Sequence, residues 1–371
     1  MRVKLSEITN YSKGTQINGD ELIENGEYIY LNGGINPSGR WSSSNVSGDT
    51  VTISEGGNSS GYVNYISEPF WCGAHCYYLY DGPSNSKYLY YALKSQQDRL
   101  FAIRSGACMP NIKKSDLGNF ELEFDSDEQK QNEIVKILSN VEQVILSRQK
   151  ELELFDKLIK ARFVELFGDV KENPNNYPLV HIKEVVSSCE AGWSGNGTQR
   201  EKKDGEVAVL KVSAVTKGYF IPDECKVLDD QENIKKRVIP EKGDLIFSRA
   251  NTREMVGATA IVLQDYPELI LPDKLWKIRF NNEADVYYMK HVLSSKHIRD
   301  QFSAQSTGTS GSMYNVSMEK FYGISIPLPP VEQQVEFKRF VKQVDKSKVA
   351  VQKSLNETQK LFDSLMQEYF G

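Results

Sequence analysis

The chain has 371 residues, of which 39% are hydrophobic, and a formal net charge of −5. This length accommodates two domains of ordinary size, and the apolar content argues against disorder. No run of eighteen apolar residues is present, so a membrane span is not expected, and the first residues lack the apolar core of a signal peptide. Five cysteines without framework spacing favour a reducing compartment, and we expect a cytoplasmic protein. The negative charge excludes a strongly basic chain, so a nucleic-acid-binding surface would have to be a local patch.

The first 126 residues have the pattern of a mixed α/β domain. Runs rich in β-branched and aromatic residues predict strands at 50–53, 62–66 and 76–80. A helix is expected near 86–95. The Gly-rich segment 55–61 is predicted to be a loop between two of the strands.

Residues 127–168 follow a different pattern, with seam positions spaced alternately by four and three. The seam runs through Arg162 to Leu166, and its apolar members include Ile134, Leu138, Val141, Ile145, Leu152, Phe155 and Ile159. Such a pattern over five heptads predicts a long coiled-coil helix. Arg148 interrupts the seam, and a polar residue there can fix the register of the pairing.

Residues 169–330 predict a second mixed domain, entered through a Pro- and Asn-rich linker at 169–178. Strands are expected at 207–210, 244–247 and 258–263, and a helix at 285–301. A second seam occupies the long helix at 331–371, with Lys348 as its polar break. This seam runs to Tyr369, and its apolar members include Phe337, Val341, Val344, Val351, Leu355, Phe362 and Leu365.

The two halves of the chain repeat each other. The segment from Asn111 to Gln129 recurs from Asn315 to Gln333 with an offset of 204, and the two seams are offset by 203. A duplication of this kind predicts two similar modules, each followed by a long helix. We therefore expect an α+β chain in which two mixed α/β domains are separated by two helices paired as an antiparallel coiled coil, with an internal pseudo-two-fold repeat. The alternative is that each helix packs on its own domain.

Catalytic motifs are missing from the sequence. It contains neither a phosphate-binding GxxxxGK[ST] loop nor a dinucleotide-binding G-x-G-x-x-G element. The segment Cys72-Gly73-Ala74-His75-Cys76 suggests zinc, but the other cysteines form no second pair to complete four ligands. The four histidines show no triad spacing. We expect no catalytic residues, no metal site and no enzymatic activity in this chain.

Two loops instead suggest recognition of nucleic acid. Arginine reads guanine and asparagine reads adenine in the major groove, and hydroxyl groups bind phosphate. The DNA-binding candidates of the second domain are Arg200, Lys203, Arg249, Asn251, Thr252, Arg253, Thr309, Ser312 and Tyr314. Those of the first domain are Asn58, Ser59, Tyr62, Arg104, Lys113 and Lys114. The alternative for 248–254 is a solvated turn with an ion pair to Glu254.

In this arrangement the chain resembles the DNA-specificity (S) subunit of type I restriction–modification systems across its whole length. The residues that carry the resemblance are Pro-Leu-Pro-Pro-Val-Glu-Gln at 327–333, its degenerate copy at 124–129, Gly243–Thr252, Ser60–Val63 followed by Pro69–Trp71, and the pairs Phe167-Gly168 and Phe370-Gly371. Each string alone is weak, but their duplicated order is specific. The first copy has Glu123-Phe124-Asp125-Ser126 in place of the Pro-Leu-Pro-Pro entry.

The resemblance implies target recognition domains at 1–126 and 169–330, with spacer helices at 127–168 and 331–371. Each domain would read one half of a bipartite, asymmetric site on double-stranded DNA. Two methyltransferase (M) subunits would dock here, and restriction/motor (R) subunits would join the larger complex. S-adenosylmethionine, ATP and Mg would belong to those partners. Two alternatives stay open: a specificity subunit of a fused nuclease–methylase enzyme, and a coiled-coil scaffold that binds protein.

Overall fold

The computed structural model describes residues 1–106, 108–304 and 314–371. The described residues group into two compact units. Unit 1 contains residues 1–150 and 352–371, and unit 2 contains residues 151–351. The division falls inside both long helices, so each unit includes a part of each. Among the described helices none has the length and apolar character needed to cross a membrane.

Unit 1 is built from short strands and a few helices. Its strands are β1 (Arg2–Lys4), β2 (Asn10–Lys13), β3 (Tyr28–Leu31), β4 (Gly39–Trp41), β5 (Thr50–Ser54), β6 (Val63–Ile66), β7 (Trp71–Cys72), β8 (Cys76–Tyr80) and β9 (Glu121–Glu123). Its helices are α1 (Leu5–Ile8), α2 (Ser86–Ser95), α3 (Gln97–Ala102), α4 (Lys114–Gly118) and the first part of α5 (Glu128–Phe167), with a 3-10 turn at Gly19–Glu21.

The strands of unit 1 form an antiparallel sheet in the order β2-β8-β5-β6 and a smaller sheet in the order β4-β3-β7, in which β3 and β7 are parallel. A separate pair joins β1 to β9. Every residue of β5 is buried, because the strand is central in its sheet and α2 packs against it. Ile53, Tyr77 and Leu89 belong to the resulting core.

Unit 2 contains the remaining elements. Its strands are β10 (Leu179–His181), β11 (Val186–Ala191), β12 (Gly197–Thr198), β13 (Ala208–Leu210), β14 (Cys225–Leu228), β15 (Leu245–Ser248), β16 (Ala250–Asn251), β17 (Thr259–Ile261), β18 (Leu269–Ile270), β19 (Leu275–Phe280), β20 (Tyr314–Asn315) and β21 (Ser325–Pro327). Its helices are α6 (Ile182–Val185), α7 (Ser213–Thr216), α8 (Val286–Ser294), α9 (Lys296–Ala304), α10 (Met318–Tyr322) and the first part of α11 (Val331–Phe370). The end of α11 belongs to unit 1.

The strand order in unit 2 parallels that of unit 1. The main antiparallel sheet runs β11-β19-β15-β17, and the second sheet runs β12-β14-β13-β18 with β13 and β18 parallel. The pair β10–β21 takes the place that β1–β9 has in unit 1. The six predicted strand runs correspond to β5, β6, β8, β13, β15 and β17.

In each unit a backbone hydrogen bond joins the two sheets, and the glycine before it allows them to approach closely. The Thr15 amide donates to the Cys72 carbonyl at 2.9 Å, and the Trp193 amide donates to the Leu271 carbonyl at 2.9 Å. A Cβ on the preceding Gly14 or Gly192 would lie 1.9 Å from that same carbonyl oxygen. Only glycine permits so close an approach of two backbones.

The long helices share a core within each unit. In unit 1, Ile134 and Leu138 of α5 belong to the same buried cluster as Met366 and Phe370 of α11. In unit 2, the end of α5 and the start of α11 meet instead, and Phe163 and Phe337 have ring centroids 5.4 Å apart. In each unit, therefore, the beginning of one long helix packs with the end of the other.

The apolar seam residues named above are all at least half-buried. Ile134, Leu138, Ile145, Ile159, Phe337, Val341, Val344 and Val351 are buried, and the other six, Val141, Leu152, Phe155, Leu355, Phe362 and Leu365, are half-buried. The polar break Lys348 pairs with Asp156 of α5. The seam omits four buried apolar residues near the helix ends: Phe163, Phe167, Met366 and Phe370.

The prediction of a single helix at 285–301 is wrong, because the structure contains two helices, α8 and α9, in this region. Ser295 has φ −62° and ψ 147°, which ends α8 before α9 begins at Lys296. Both helices have a buried apolar side, so the hydrophobic spacing of the sequence continues across Ser295 and does not reveal the break between them. In unit 1 the residue between α2 and α3, Gln96, also departs from helical geometry.

Candidate nucleic-acid interface

In unit 1 the Gly-rich loop at 55–60 is closed at its base by a pair of backbone hydrogen bonds. The Gly61 amide donates to the Ser54 carbonyl at 2.8 Å, and the Ser54 amide donates to the Tyr62 carbonyl at 2.9 Å. Gly61 has φ +84°, a conformation that favours glycine. The loop is therefore the tip of the β5–β6 hairpin, and its ends are fixed.

Several predicted residues of unit 1 meet at this hairpin. The Ser59 hydroxyl donates to the Gly33 carbonyl at 2.6 Å, and the Arg104 guanidinium donates to the Asn58 carbonyl at 3.3 Å. The Arg104 guanidinium also lies 4.4 Å from the centre of the Phe101 ring. The structure thus brings Asn58, Ser59 and Arg104 together, with the Asn58 side chain left facing solvent.

Tyr62 contacts a lysine that the sequence analysis missed. The Lys94 ammonium lies 3.7 Å from the centre of the Tyr62 ring and donates to the Val63 carbonyl at 3.1 Å. Burial lowers the pKa of Lys94 to about 8. Lys94 occupies the last turn of α2 and ties that helix to the end of the hairpin, and no local motif marks it for this role.

Lys113 and Lys114 are exposed at the start of α4. The Lys114 ammonium lies 5.7 Å from the centre of the Tyr11 ring. The preceding residue, Ile112, donates its amide to the Glu55 carbonyl at 2.9 Å, so this basic segment is attached to the hairpin base.

Unit 2 presents the corresponding hairpin with a longer tip at 249–256. The Gly257 amide donates to the Ser248 carbonyl at 2.8 Å, and the Ser248 amide donates to the Ala258 carbonyl at 2.8 Å. Strand β16 of the tip pairs with β20, which sets Asn251 opposite Tyr314. The structure therefore brings the candidate Tyr314 to the hairpin. Thr309 and Ser312 lie outside the described residues.

Some side chains of this hairpin form local hydrogen bonds, and others are exposed to solvent. The Asn251 side-chain oxygen accepts the Thr252 amide at 2.9 Å, and its nitrogen donates to the Ser248 hydroxyl at 3.4 Å. Bidentate reading of adenine would require Asn251 to give up these local bonds. Thr252 and Arg253 are exposed. Arg249 forms a hydrogen bond outside this turn, because its Nε donates to the Asp273 carbonyl at 3.0 Å.

Arg200 and Lys203 belong to a separate local structure. The Arg200 guanidinium binds both oxygens of Glu206 at 2.7 Å, and the Lys203 amide donates to the same carboxylate at 2.9 Å. The Arg200 hydrogen bond lowers the pKa of Glu206 to about 2. These contacts connect Arg200 to residues 203–206 rather than to the hairpin at 249–256.

An acidic residue at the hairpin of unit 1 was also missed. Glu55 pairs with Lys13 at 2.7 Å, and its other oxygen lies 3.4 Å from His75 Nδ1. Glu55 lies 42 positions from Lys13 and 20 from His75, so no spacing pattern connects them. A DNA-binding surface is expected to be basic, so an acidic residue gives no sequence signal for such a surface.

The described residues contain no group of three or more His, Cys, Asp and Glu side chains arranged to hold a metal ion. Cys72 and Cys76 are both buried in a small apolar cluster with Leu31, Val46 and Phe70. The segment is a short connection from β7, which ends at Cys72, to β8, which begins at Cys76.

Comparison with known families decides the relationship of the chain. A family model described as the type I restriction modification DNA specificity domain matches residues 1–154 and 174–359, which is most of the chain. The chain belongs to this family. The two matched segments each contain one hairpin of the candidate interface.

Relatives in the specificity family are similar to parts of the chain. A putative type I specificity subunit from Mycoplasma genitalium is 32% identical over 167 residues, which cover 44% of this chain and 43% of the relative. One from Mycoplasma pneumoniae is 32% identical over 191 residues, covering 51% of each. The chain spans about half the length of these curated relatives. The type I restriction enzyme MjaVIII specificity subunit of Methanocaldococcus jannaschii is 24% identical over 70% of this chain and 63% of its own length.

Solved structures show the same fold. The crystal structure of a type I restriction-modification S subunit from M. genitalium superposes with a TM-score of 0.64 at 20% sequence identity, covering 100% of this chain and 96% of that chain. A chain from the structure of a type I restriction-modification system in complex assembly gives a TM-score of 0.51 at 13% identity, covering 99% and 96%. These likenesses concern the fold alone.

Proposed function

We propose that this chain is the DNA-specificity subunit of a type I restriction–modification complex. In this role it is a non-catalytic component that reads a bipartite, asymmetric site on double-stranded DNA, with one unit for each half-site. Membership of the specificity family is the observation that carries the proposal. The two hairpins also support it. They have the same backbone hydrogen bonds at their bases but different side chains, so the two units would bind different half-site sequences.

In the proposed arrangement the two long helices form an antiparallel coiled coil that fixes the distance between half-sites, and the chain has an internal pseudo-two-fold repeat. Each helix has 40 residues, and a helix of that length measures roughly 60 Å at ~1.5 Å per residue. The packing of α5 against α11 within each unit supports the pairing. The matching strand orders of the two units support the repeat.

The proposal assigns the chemistry to partner subunits. Two methyltransferase subunits would dock on this chain and bind S-adenosylmethionine, and restriction subunits in the larger complex would use ATP and Mg. A chain with a net charge of −5 would then depend on those partners for much of the phosphate neutralisation. The basic residues near the hairpins would contribute the remainder.

Salt-dependent DNA binding tests this function. The full chain, purified together with its methyltransferase subunits, is expected to shift a duplex in a gel at 50 mM salt. Raising the salt to 200 mM should weaken binding by roughly 100-fold if about four phosphates are contacted, because bound counterions are released. A coiled-coil scaffold that binds only protein would give no shift at either salt concentration, and that result would refute the proposal.

A further inference from the structure

The first residue of each hairpin tip occupies the same place in its unit. In unit 1 this residue is Glu55, which follows Ser54, and in unit 2 it is Arg249, which follows Ser248. The serine carbonyl accepts from Gly61 in one unit and from Gly257 in the other, both at 2.8 Å. Both serines are buried at the end of a central strand.

Two further hydrogen bonds fix the same position in each unit. The Glu55 amide donates to the His75 carbonyl at 2.8 Å, and its carbonyl accepts from Ile112 at 2.9 Å. The Arg249 amide donates to the Lys274 carbonyl at 3.0 Å, and its carbonyl accepts from Val316 at 2.9 Å. The acceptors His75 and Lys274 each immediately precede a strand, β8 or β19, that is a neighbour of the hairpin in its sheet. Glu55 and Arg249 are therefore structural equivalents.

The two equivalent side chains carry opposite charges and are both held in place. The Glu55 side chain is 16% exposed, and Lys13 and His75 each contact one of its oxygens. A carboxylate has about four acceptor sites, so these contacts leave acceptor capacity. Arg249 Nε donates to the Asp273 carbonyl, and Asp273 is itself bonded by the Ser194 hydroxyl. The guanidinium has five N–H donors, of which this contact uses one.

We propose that this equivalent position determines base specificity in both half-sites, an inference that rests on the proposed function. Glu55 accepts a hydrogen bond from the N4 amino group of cytosine, and Arg249 donates to O6 and N7 of guanine. Lys13 holds one oxygen of the carboxylate, and its positive charge offsets the repulsion between Glu55 and the nearby phosphates. Arg253 and Lys113, which are exposed, remain contacts to the DNA backbone.

A purely structural role for Glu55 is the competing explanation. Its contacts with Lys13 and His75 connect β2 and the turn before β8 to the hairpin. Loss of such a role would lower stability and would leave the preferred bases unchanged. Base preference therefore distinguishes the two explanations.

Selection of binding sites from a random duplex library tests the inference. The probe is the library itself, bound to the full chain in complex with its methyltransferase subunits. The wild-type complex is expected to select a bipartite motif with a cytosine read by unit 1 and a guanine read by unit 2. Glutamine pairs with adenine, so Glu55→Gln should shift the cytosine preference towards adenine about tenfold or more, in one half-site only. Arg249→Gln should do the same to the guanine of the other half-site.

Two further variants complete the test. Arg249→Lys keeps the positive charge but loses the bidentate fork, so it should lose about tenfold in discrimination for guanine. Glu121→Gln is the matched control, because Glu121 also forms an ion pair, with Arg2 at 2.7 Å, but lies on the separate β1–β9 pair. The motif selected by this variant should equal that of the wild type.

The possible results separate the inference from the proposed function. Unchanged motifs in Glu55→Gln, Arg249→Gln and Arg249→Lys would overturn the inference while leaving the proposed function intact. So would a variant that altered both half-sites equally. A wild-type complex that selected no motif would overturn the proposed function and the inference with it. If Glu55→Gln did not fold, the two Arg249 variants would decide between these results.

Discussion

Replacing Asp244 by Ala is expected to lower the free energy of unfolding by about 3–5 kcal/mol, because it removes one member of a buried ion network. The Asp244 side chain is 0% exposed and binds Arg279 Nε at 2.6 Å and the Glu241 amide at 2.7 Å. Lys277, also nearly buried, lies 3.2 Å from the same carboxylate. Without Asp244 these donors lose a buried partner. Urea unfolding followed by circular dichroism measures the change.

A surface ion pair in the same unit provides the control. Glu268 pairs with Lys202 at 2.9 Å, and half of the Glu268 side chain is exposed. Glu268→Ala is expected to cost at most about 1 kcal/mol. Equal effects of the two substitutions would show that the Asp244 network does not stabilise unit 2. Because Asp244 immediately precedes β15, which leads to Arg249, the Asp244 variant should also weaken DNA binding.

Inserting one heptad into both long helices is expected to lengthen the gap between the two half-sites by roughly three base pairs. Seven helical residues add about 10 Å at ~1.5 Å per residue, and duplex DNA rises about 3.4 Å per base pair. The insertions would follow Lys150 in α5 and Val351 in α11, the points where the two units divide. The selected motif of the variant complex, compared with that of the wild type, measures the gap.

An insertion in α5 alone is the matched control for the spacer. It lengthens α5 between the two units without lengthening α11, so the two seams can no longer match in both units, and site-specific binding should be lost. A double insertion that bound with an unchanged gap would refute the proposed spacer role of the helices. Unchanged binding by the single insertion would argue that the helices do not act as a pair.

The sequence predicted the regular elements well because their hydrophobic periods are strong. The seam positions from Ile134 to Ile159 are all buried or half-buried. Near the helix ends the spacing of the buried residues becomes four, as in Ile159, Phe163 and Phe167, since those turns pack on a globular core as well as on another helix. A heptad pattern describes contact with one facing helix, so it could not identify Phe163 or Phe167.

The candidate site was only partly predictable. The glycines of segment 55–61 indicated a loop, and the arginines of 248–254 indicated a possible contact with DNA. The equivalence of Glu55 and Arg249 was hidden, because the residues differ in charge and their hairpin tips differ in length. The local hydrogen bonds of Asn251 could not be predicted either, since a sequence does not show whether a side-chain amide bonds to a neighbouring backbone amide.

Mapping modified bases across the host genome, with and without the gene for this chain, would show whether the chain sets DNA specificity through two unlike readers. We expect one motif that depends on the gene, made of two short unlike sequences separated by a constant number of unspecified bases. A gene-dependent motif that was continuous or palindromic would contradict two unlike readers on one chain. A genome whose modification did not change on deletion of the gene would contradict the role in DNA specificity.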